Sequence, residues 1–210
     1  MERKKIDSEN NVIRNLKEIE KMHPHKMLTF LFLFGNLLIF TYLLISLTIE
    51  LALDSEITAN INIPKFFIIG SFEILFSGYI LSGLIEAFQN EDNDTIRKKV
   101  FAIFLTGGVF FIFQSIGWLE LIFLGVRFSS NILGTYLYLI SGFHMISVLI
   151  GIGVFAYFLY KTRNIHTDGV SKLIFFTSPY EKTKLEIIII YWRYIFISWI
   201  FINTWLLFII

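Results

Sequence analysis

The chain has 210 residues, of which 55% are hydrophobic and only 17% are charged, whereas soluble globular domains carry charge on about a quarter of their residues. This composition excludes an ordinary soluble domain and predicts an integral membrane protein. The sequence contains no cysteine, which excludes disulfides, iron–sulfur clusters and thiolate zinc sites. The formal net charge of +1 is uninformative as a total, and no nucleic-acid partner is expected.

The predicted elements begin with a polar arm at residues 1–26, which lacks the apolar core of a cleaved signal and is expected to lie near anionic headgroups. A bilayer core requires about 20 apolar residues per helix. Five runs of the sequence qualify, at residues 27–49, 64–88, 99–122, 134–160 and 187–210. The predicted fold is therefore all-α, a polytopic bundle of five transmembrane helices formed by residues 27–210.

The distribution of Lys and Arg predicts the orientation of these helices. The arm and the segments after the second and fourth runs carry 15 of the 18 basic residues, whereas the opposite side carries Lys65 and Arg127. Because basic residues accumulate on the cytoplasmic side, we expect a cytoplasmic N-terminus and an external C-terminus. The remaining basic residue, Arg193, lies inside the fifth run, where it is a candidate contact for a lipid headgroup or snorkels to the interface.

Few polar side chains lie inside the predicted spans. Counting 1.5 Å per residue places the deepest of them near one level, and we expect this intramembrane polar layer to contain Asn36, Glu73, Ser77, Gln114 and His144. A single intramembrane histidine cannot supply the ligand pair of a membrane haem, and no arrangement typical of a catalytic or metal site occurs. His144 is interpreted as a helix-packing residue, with proton handling or lipid contact as alternatives. We hypothesise that Glu73 is its acidic partner, directly or through a water; the alternative is a neutral Glu73 bonded to a backbone carbonyl.

Four short motifs follow one another along the spans: FSG at 76–78, FQ at 113–114 with Trp118, YLISGFH at 138–144, and YW at 191–192 followed by WIF at 199–201. In this order they resemble the LLSS, F-x-Q-x-x-E-[YW], YLLTGFH and YWHFVDVVWLF segments of cytochrome c oxidase subunit III. Small residues also recur at helical spacing along the spans, a pattern that lets neighbouring helices approach closely. This pattern and the resemblance together give the expected packing and motif residues, which are Gly78, Trp118, Ser141, Gly142, Phe143 and Trp192.

The resemblance implies the five-helix bacterial form of subunit III in the inner (cytoplasmic) membrane. Such a chain is a non-catalytic accessory subunit that steadies catalytic subunit I, and other respiratory-complex subunits are implied as partners. It implies no cofactor bound by this chain, haem and copper in the partner subunit, and phospholipid held in a cleft of the bundle.

The sequence also departs from the family's pattern at four ionisable positions. Asn36 and Gly117 stand where the family has glutamate, and Ser147 and Arg193 stand where it has histidine. The family's proton-related chemistry therefore cannot simply be carried over to this chain. A subunit of a quinol oxidase or nitric oxide reductase, a small membrane transporter, and an integral membrane enzyme of unrecognised type are the alternative interpretations.

Overall fold

The computed structural model describes residues 23–53, 63–128, 132–165 and 169–209, and every regular element in these ranges is a helix. The predicted all-α fold is therefore confirmed for this part of the chain. Of the predicted arm, residues 1–22 lie outside the described ranges. In chain order the helices are α1 (Pro24–Leu53), α2 (Lys65–Leu81), α3 (Leu84–Gln89), α4 (Asn93–Phe123), α5 (Ile132–Ile165), α6 (Gly169–Thr177) and α7 (Pro179–Ile209).

Five helical segments of the described chain are long and apolar enough to cross a membrane, as predicted. Spans one to five are Pro24–Leu53, Lys65–Gln89, Asn93–Phe123, Ile132–Arg163 and Pro179–Ile209. Most are longer than the apolar runs, because the helices continue into charged segments. The fifth begins eight residues before the predicted position 187, and at 1.5 Å per residue its 31 residues extend about 46 Å, beyond the ~30 Å core of a bilayer.

The helix starts carry recognisable sequence signals. Pro64 directly precedes α2, and Pro179 opens α7, in both cases where the missing amide proton of proline leaves no helical bond unmade. The Asp92 carboxylate caps α4 by accepting the backbone N–H of Thr95 at 3.0 Å. This hydrogen bond lowers the pKa of the Asp92 carboxyl below its ordinary value.

Span two is broken near its end, which the sequence reading did not predict. Ser82 is extended, and Gly83 has a left-handed φ of 73°, a conformation that favours glycine. The break frees backbone carbonyls, and the Lys99 ammonium on α4 donates to the Ser82 oxygen at 2.6 Å and to the Ile80 oxygen at 3.3 Å. A lysine from the neighbouring span thus takes the place of the missing helical donors.

The spans pack in an order that places span five centrally. Span two packs most extensively on span three, and span three on span four, while span five contacts spans one, two and four. Span one packs on spans four and five, and most of its exposed residues are large and apolar. Since its outward face carries these side chains, we infer that it faces lipid or another membrane subunit.

Ion pairs gather on the side of the bundle where α1 begins, which we call the N-terminal side. Lys26 on α1 pairs with Glu186 on α7, and Lys161 on α5 pairs with Glu181 on α7 at 2.5 Å. Helix α6 lies on this side, between the end of α5 and the start of α7. The sequence predicts no span at residues 169–177, because nine residues are too few to cross a bilayer.

Candidate functional site

His144 is fully buried in span four and is bound to span five. Its Nε2–H donates to the backbone oxygen of Ile195 at 3.0 Å; because the carbonyl can only accept, the proton of the neutral ring lies on Nε2. The imidazole is enclosed by the rings of Phe40, Phe110 and Trp199, with centroids 4.6–6.2 Å away. This geometry favours the helix-packing interpretation of His144.

Trp192 connects span five to spans two, three and four. Its indole Nε1–H donates to the Ser77 hydroxyl of span two at 2.8 Å, and both side chains are fully buried. On the other sides its ring lies against two glycines: an added Cβ would stand 2.9 Å from the ring at Gly107 and 2.6 Å from it at Gly151. The ring thus occupies space that any other residue at these positions would fill.

Two tyrosines extend this set of contacts. The Tyr194 hydroxyl donates to the Asn36 side-chain oxygen of span one at 2.7 Å, and the Tyr191 hydroxyl donates to the Ser147 backbone oxygen of span four at 2.8 Å. Residues 191–195, about one turn of α7, therefore contact all four other spans, with hydrogen bonds to spans one, two and four and ring packing against span three. We call this segment the 191–195 turn.

The structure divides the predicted polar layer into two parts. Asn36, Ser77 and His144 are all hydrogen-bonded to the 191–195 turn. Gln114 is fully buried, and neither atom of its amide has a hydrogen-bond partner among the described residues. Both carboxylate oxygens of Glu73 are likewise buried without a partner there.

A direct bond between Glu73 and His144 is contradicted by this arrangement. The Nε2 of His144 is taken by the Ile195 carbonyl, and its Nδ1 has no described hydrogen-bond partner. The alternative, a neutral Glu73 bonded to a backbone carbonyl, stays a prediction, since the structure gives its oxygens no partner among the described residues. A link through water stays a prediction. Counting 1.5 Å per residue gives the level of each side chain along the membrane normal. It gives no information about the direction in which each side chain points around its helix.

Trp118 and Ser141 form a second, separate contact between spans three and four. The Trp118 Nε1–H donates to the Ser141 hydroxyl at 2.8 Å, and the indole lies over Gly142, 3.7 Å from the position of an added Cβ. The hydroxyl of Tyr138 donates to the backbone oxygen of Val126 at 3.0 Å. Three of the motif residues therefore meet at one helix–helix contact, which the sequence order alone could not reveal.

The remaining motif residues have different surroundings. An added Cβ at Gly78 would approach the Phe196 ring to 3.0 Å, so Gly78 allows spans two and five to lie close together. Phe143 faces outward with 42% of its surface exposed. Gly117 stands where the family has glutamate. The Phe67 ring occupies the space beside it, closer to an added Cβ than van der Waals contact allows.

Arg193 points out of the bundle and is exposed, and it borders two cavities beside span one. One, of about 260 Å³, is also lined by Lys26, Glu186 and the break in span two around Gly83. The other, of about 390 Å³, is almost entirely apolar and lies against Phe30, Phe34 and Tyr194. Because Lys26 and Glu186 pair with each other, the charge of Arg193 is uncompensated in the first cavity.

The 191–195 turn was only partly visible in the sequence. Tyr191 and Trp192 stood out as the YW motif, but Tyr194 did not, although deep tyrosines usually find a hydrogen-bond partner. Gly107 and Gly151 belonged to small-residue stripes, which indicate close helix approach without indicating the partner.

Comparison with known proteins shows that the chain is similar to a curated oxidase subunit. Over 115 residues, 54% of this chain, the sequence is 29% identical to a probable cytochrome c oxidase subunit 3 of Nocardia farcinica. The matched region covers 52% of that relative, so it spans about half of its length. No protein-family model matches the chain. The resemblance to subunit III that the motifs indicated is thereby confirmed.

Proposed function

We propose that the chain is a non-catalytic accessory subunit III of a haem-copper terminal oxidase, a proton-pumping complex of aerobic respiratory electron transport in a bacterial cytoplasmic membrane. The observation that carries the proposal is the similarity to the curated subunit 3 of Nocardia farcinica. The five spans and the order of the four motifs support it.

The contacts of His144 support an accessory role within such a complex. Its Nε2 is bonded to a backbone carbonyl and its ring is enclosed by three aromatic side chains, so it is engaged in joining spans four and five. Membrane haems usually need two facing histidines. The described spans contain only His25 besides His144, and His25 lies in the first turn of α1. We therefore assign haem and copper to catalytic subunit I, and we assign to this chain the task of stabilising that subunit.

Purification of the complex tests this proposal. The chain carries an affinity tag, the complex is extracted in mild detergent, and its absorption spectrum and peptide composition are recorded. We expect haem absorption together with peptides of a larger haem-binding subunit, and we expect the chain separated from that subunit to be colourless. Stoichiometric haem on the separated chain, or a complex that contains no haem protein, refutes the assignment. A haem protein without copper indicates a nitric oxide reductase instead.

The orientation is part of the proposal. We place the N-terminal side of the bundle in the cytoplasm because the basic residues gather there. Reporter fusions after residues 94 and 170 should then read cytoplasmic, and fusions after residues 55 and 128 should read external. An inverted pair would show that a segment we treat as a span does not cross the membrane.

We also propose that Arg193 binds the headgroup of an anionic phospholipid in the 260 Å³ cavity. Lys26 and Glu186 compensate each other at this cavity, so the guanidinium supplies its net positive charge and can bond a phosphate with two donors. The apolar cavity on the other side of Arg193 would accommodate an acyl chain.

Lipid analysis of purified variants tests the headgroup site. We expect Arg193→Leu to lower the co-purifying anionic phospholipid by about one molecule per chain, while Arg193→Lys retains part of it. Arg163→Leu is the matched control, since Arg163 is also exposed but does not line either cavity. An unchanged lipid content in Arg193→Leu would favour plain snorkelling of this side chain.

A further inference from the structure

Helix α6 has two apolar faces, of which the described residues cover only one. Phe175 and Phe176 are buried, and both rings pack against Phe88 of α3 with centroids 5.5 and 5.3 Å away. Residues 170, 173 and 174 follow the i, i+3, i+4 spacing of one helix face. Their side chains, Val170, Leu173 and Ile174, are 66%, 58% and 63% exposed.

The position of α6 along the spans matches the boundary of a bilayer. The Phe175 ring contacts Phe158 of α5, with centroids 6.1 Å apart. Phe158 lies 26 residues after the start of α5, about 39 Å along the helix, whereas the bilayer core is ~30 Å thick and the bilayer with its headgroups is about 40–45 Å thick. With the start of α5 placed at the opposite edge of the apolar core, the contact between α6 and span four lies at headgroup level.

The charges around α6 suit an anionic lipid surface. Lys172 lies over the Phe176 ring at 5.9 Å and Lys161 over the Phe175 ring at 5.6 Å. Lys184 similarly lies over the Tyr180 ring at 4.2 Å, at the start of α7. Lys161 and Lys184 both pair with Glu181, so these three lysines and one glutamate leave a net charge of +2. Lysines beside an apolar helix face are typical of helices that lie in the membrane interface.

We propose that α6 is an interfacial anchor whose exposed face inserts into the bilayer on the N-terminal side of the bundle. Val170, Leu173 and Ile174 contact the boundary between headgroups and acyl chains, and Lys172 contacts anionic headgroups. The anchor fixes the ends of α5 and α7 relative to the membrane surface, which neither helix can do alone because both extend beyond the apolar core.

The absence of cysteine from the chain allows single nitroxide labels to test this anchor. Leu173→Cys and Ile174→Cys variants of the full chain are labelled in lipid bilayers containing anionic phospholipid, and accessibility to oxygen and to a water-soluble nickel chelate is measured. Leu149→Cys is the lipid-facing control, because Leu149 is exposed within span four. Asn90→Cys is the water-facing control on the N-terminal side, where Asn90 is exposed.

We expect the ratio of oxygen to nickel accessibility at 173 and 174 to be at least about threefold higher than at 90, and lower than at 149, because an interfacial helix lies a few ångströms below the headgroups. Val170→Cys supplies a third position if one variant does not fold. A ratio equal to that at 90 overturns the proposal, since the face then contacts water. Labels closed to both reagents in native membranes also overturn it, since a protein partner then covers the face.

Discussion

Replacing Gly151 with alanine tests whether the 191–195 turn holds the spans together as the structure indicates. The added Cβ would stand 2.6 Å from the Trp192 ring and 3.3 Å from Ile195. The ring cannot move away freely, because Phe155 packs against it edge-on at 5.0 Å and its Nε1 is bonded to Ser77. Overpacking of this kind costs about 1–3 kcal/mol.

Two further contributions adjust that cost. Displacing the ring breaks the hydrogen bond to Ser77, which costs about 1 kcal/mol, whereas alanine is favoured over glycine in a helix by roughly 0.5–1 kcal/mol. The two nearly cancel, so we expect Gly151→Ala to lower the free energy of unfolding by about 1–3 kcal/mol. Gly153→Ala in the same helix meets no atom within 4 Å and should be neutral or slightly stabilising.

The measurement is the reversible unfolding of each variant in mixed micelles with increasing SDS, followed by circular dichroism. The two alanine variants should differ by about 2–4 kcal/mol, the sum of the overpacking cost and the lost hydrogen bond, because the gain in helix propensity is common to both. Equal stabilities for Gly151→Ala and Gly153→Ala would refute the reasoning, because they would show that no fixed ring occupies the space beside Gly151.

Three other perturbations follow from the described contacts. Trp118→Phe keeps a ring but removes the hydrogen bond to Ser141, so it should lower unfolding free energy by about 1 kcal/mol; Ser141→Ala added to it should cost little more if the bond is the only coupling. Lys99→Met removes the donor at the break in span two and should raise the rate of amide hydrogen exchange in α3 up to about tenfold, which corresponds to about 1.4 kcal/mol. Lys98→Met is the control and should leave this rate unchanged. A double-mutant cycle between Glu73→Gln and His144→Phe tests the predicted water-mediated link: a coupling above about 0.5 kcal/mol supports it, and a smaller value refutes it.

Much of the fold is predictable because the bilayer requires long apolar helices. The ends of the helices are less predictable. The apolar run that predicts span five begins at 187, yet the helix begins at Pro179. A proline at the first helical position is the sequence signal that indicated this start. The break at Ser82 and Gly83 also had a signal, since such pairs are common sites of helix kinks. Helix α6 had no such signal, because its apolar stretch is too short to stand out as a span.

The candidate site was less predictable, because its contacts depend on which helix faces which. The stripe of small and polar residues around His144 indicated a packing face, but not that its acceptor is the Ile195 carbonyl, a backbone atom that carries no sequence signature. The depth count failed for Glu73 because residues at one level of a bundle can still point away from each other. Two pairs of residues singled out in the sequence are bonded to each other across spans, Ser77 with Trp192 and Trp118 with Ser141.

The departures from the family's pattern have a physical explanation in these contacts. Gly117 leaves the space that the Phe67 ring occupies, so a glutamate there would require that ring to move. Asn36 accepts the Tyr194 hydroxyl, a bond that a neutral amide makes without the cost of an ion inside the membrane. Ser147 is buried and bonds to its own helix, and Arg193 is turned outward. At the three positions inside the bundle, a packed or neutral residue thus stands where the family has an ionisable one. Glu73 keeps a mid-span carboxylate whose two oxygens are buried without a partner among the described residues.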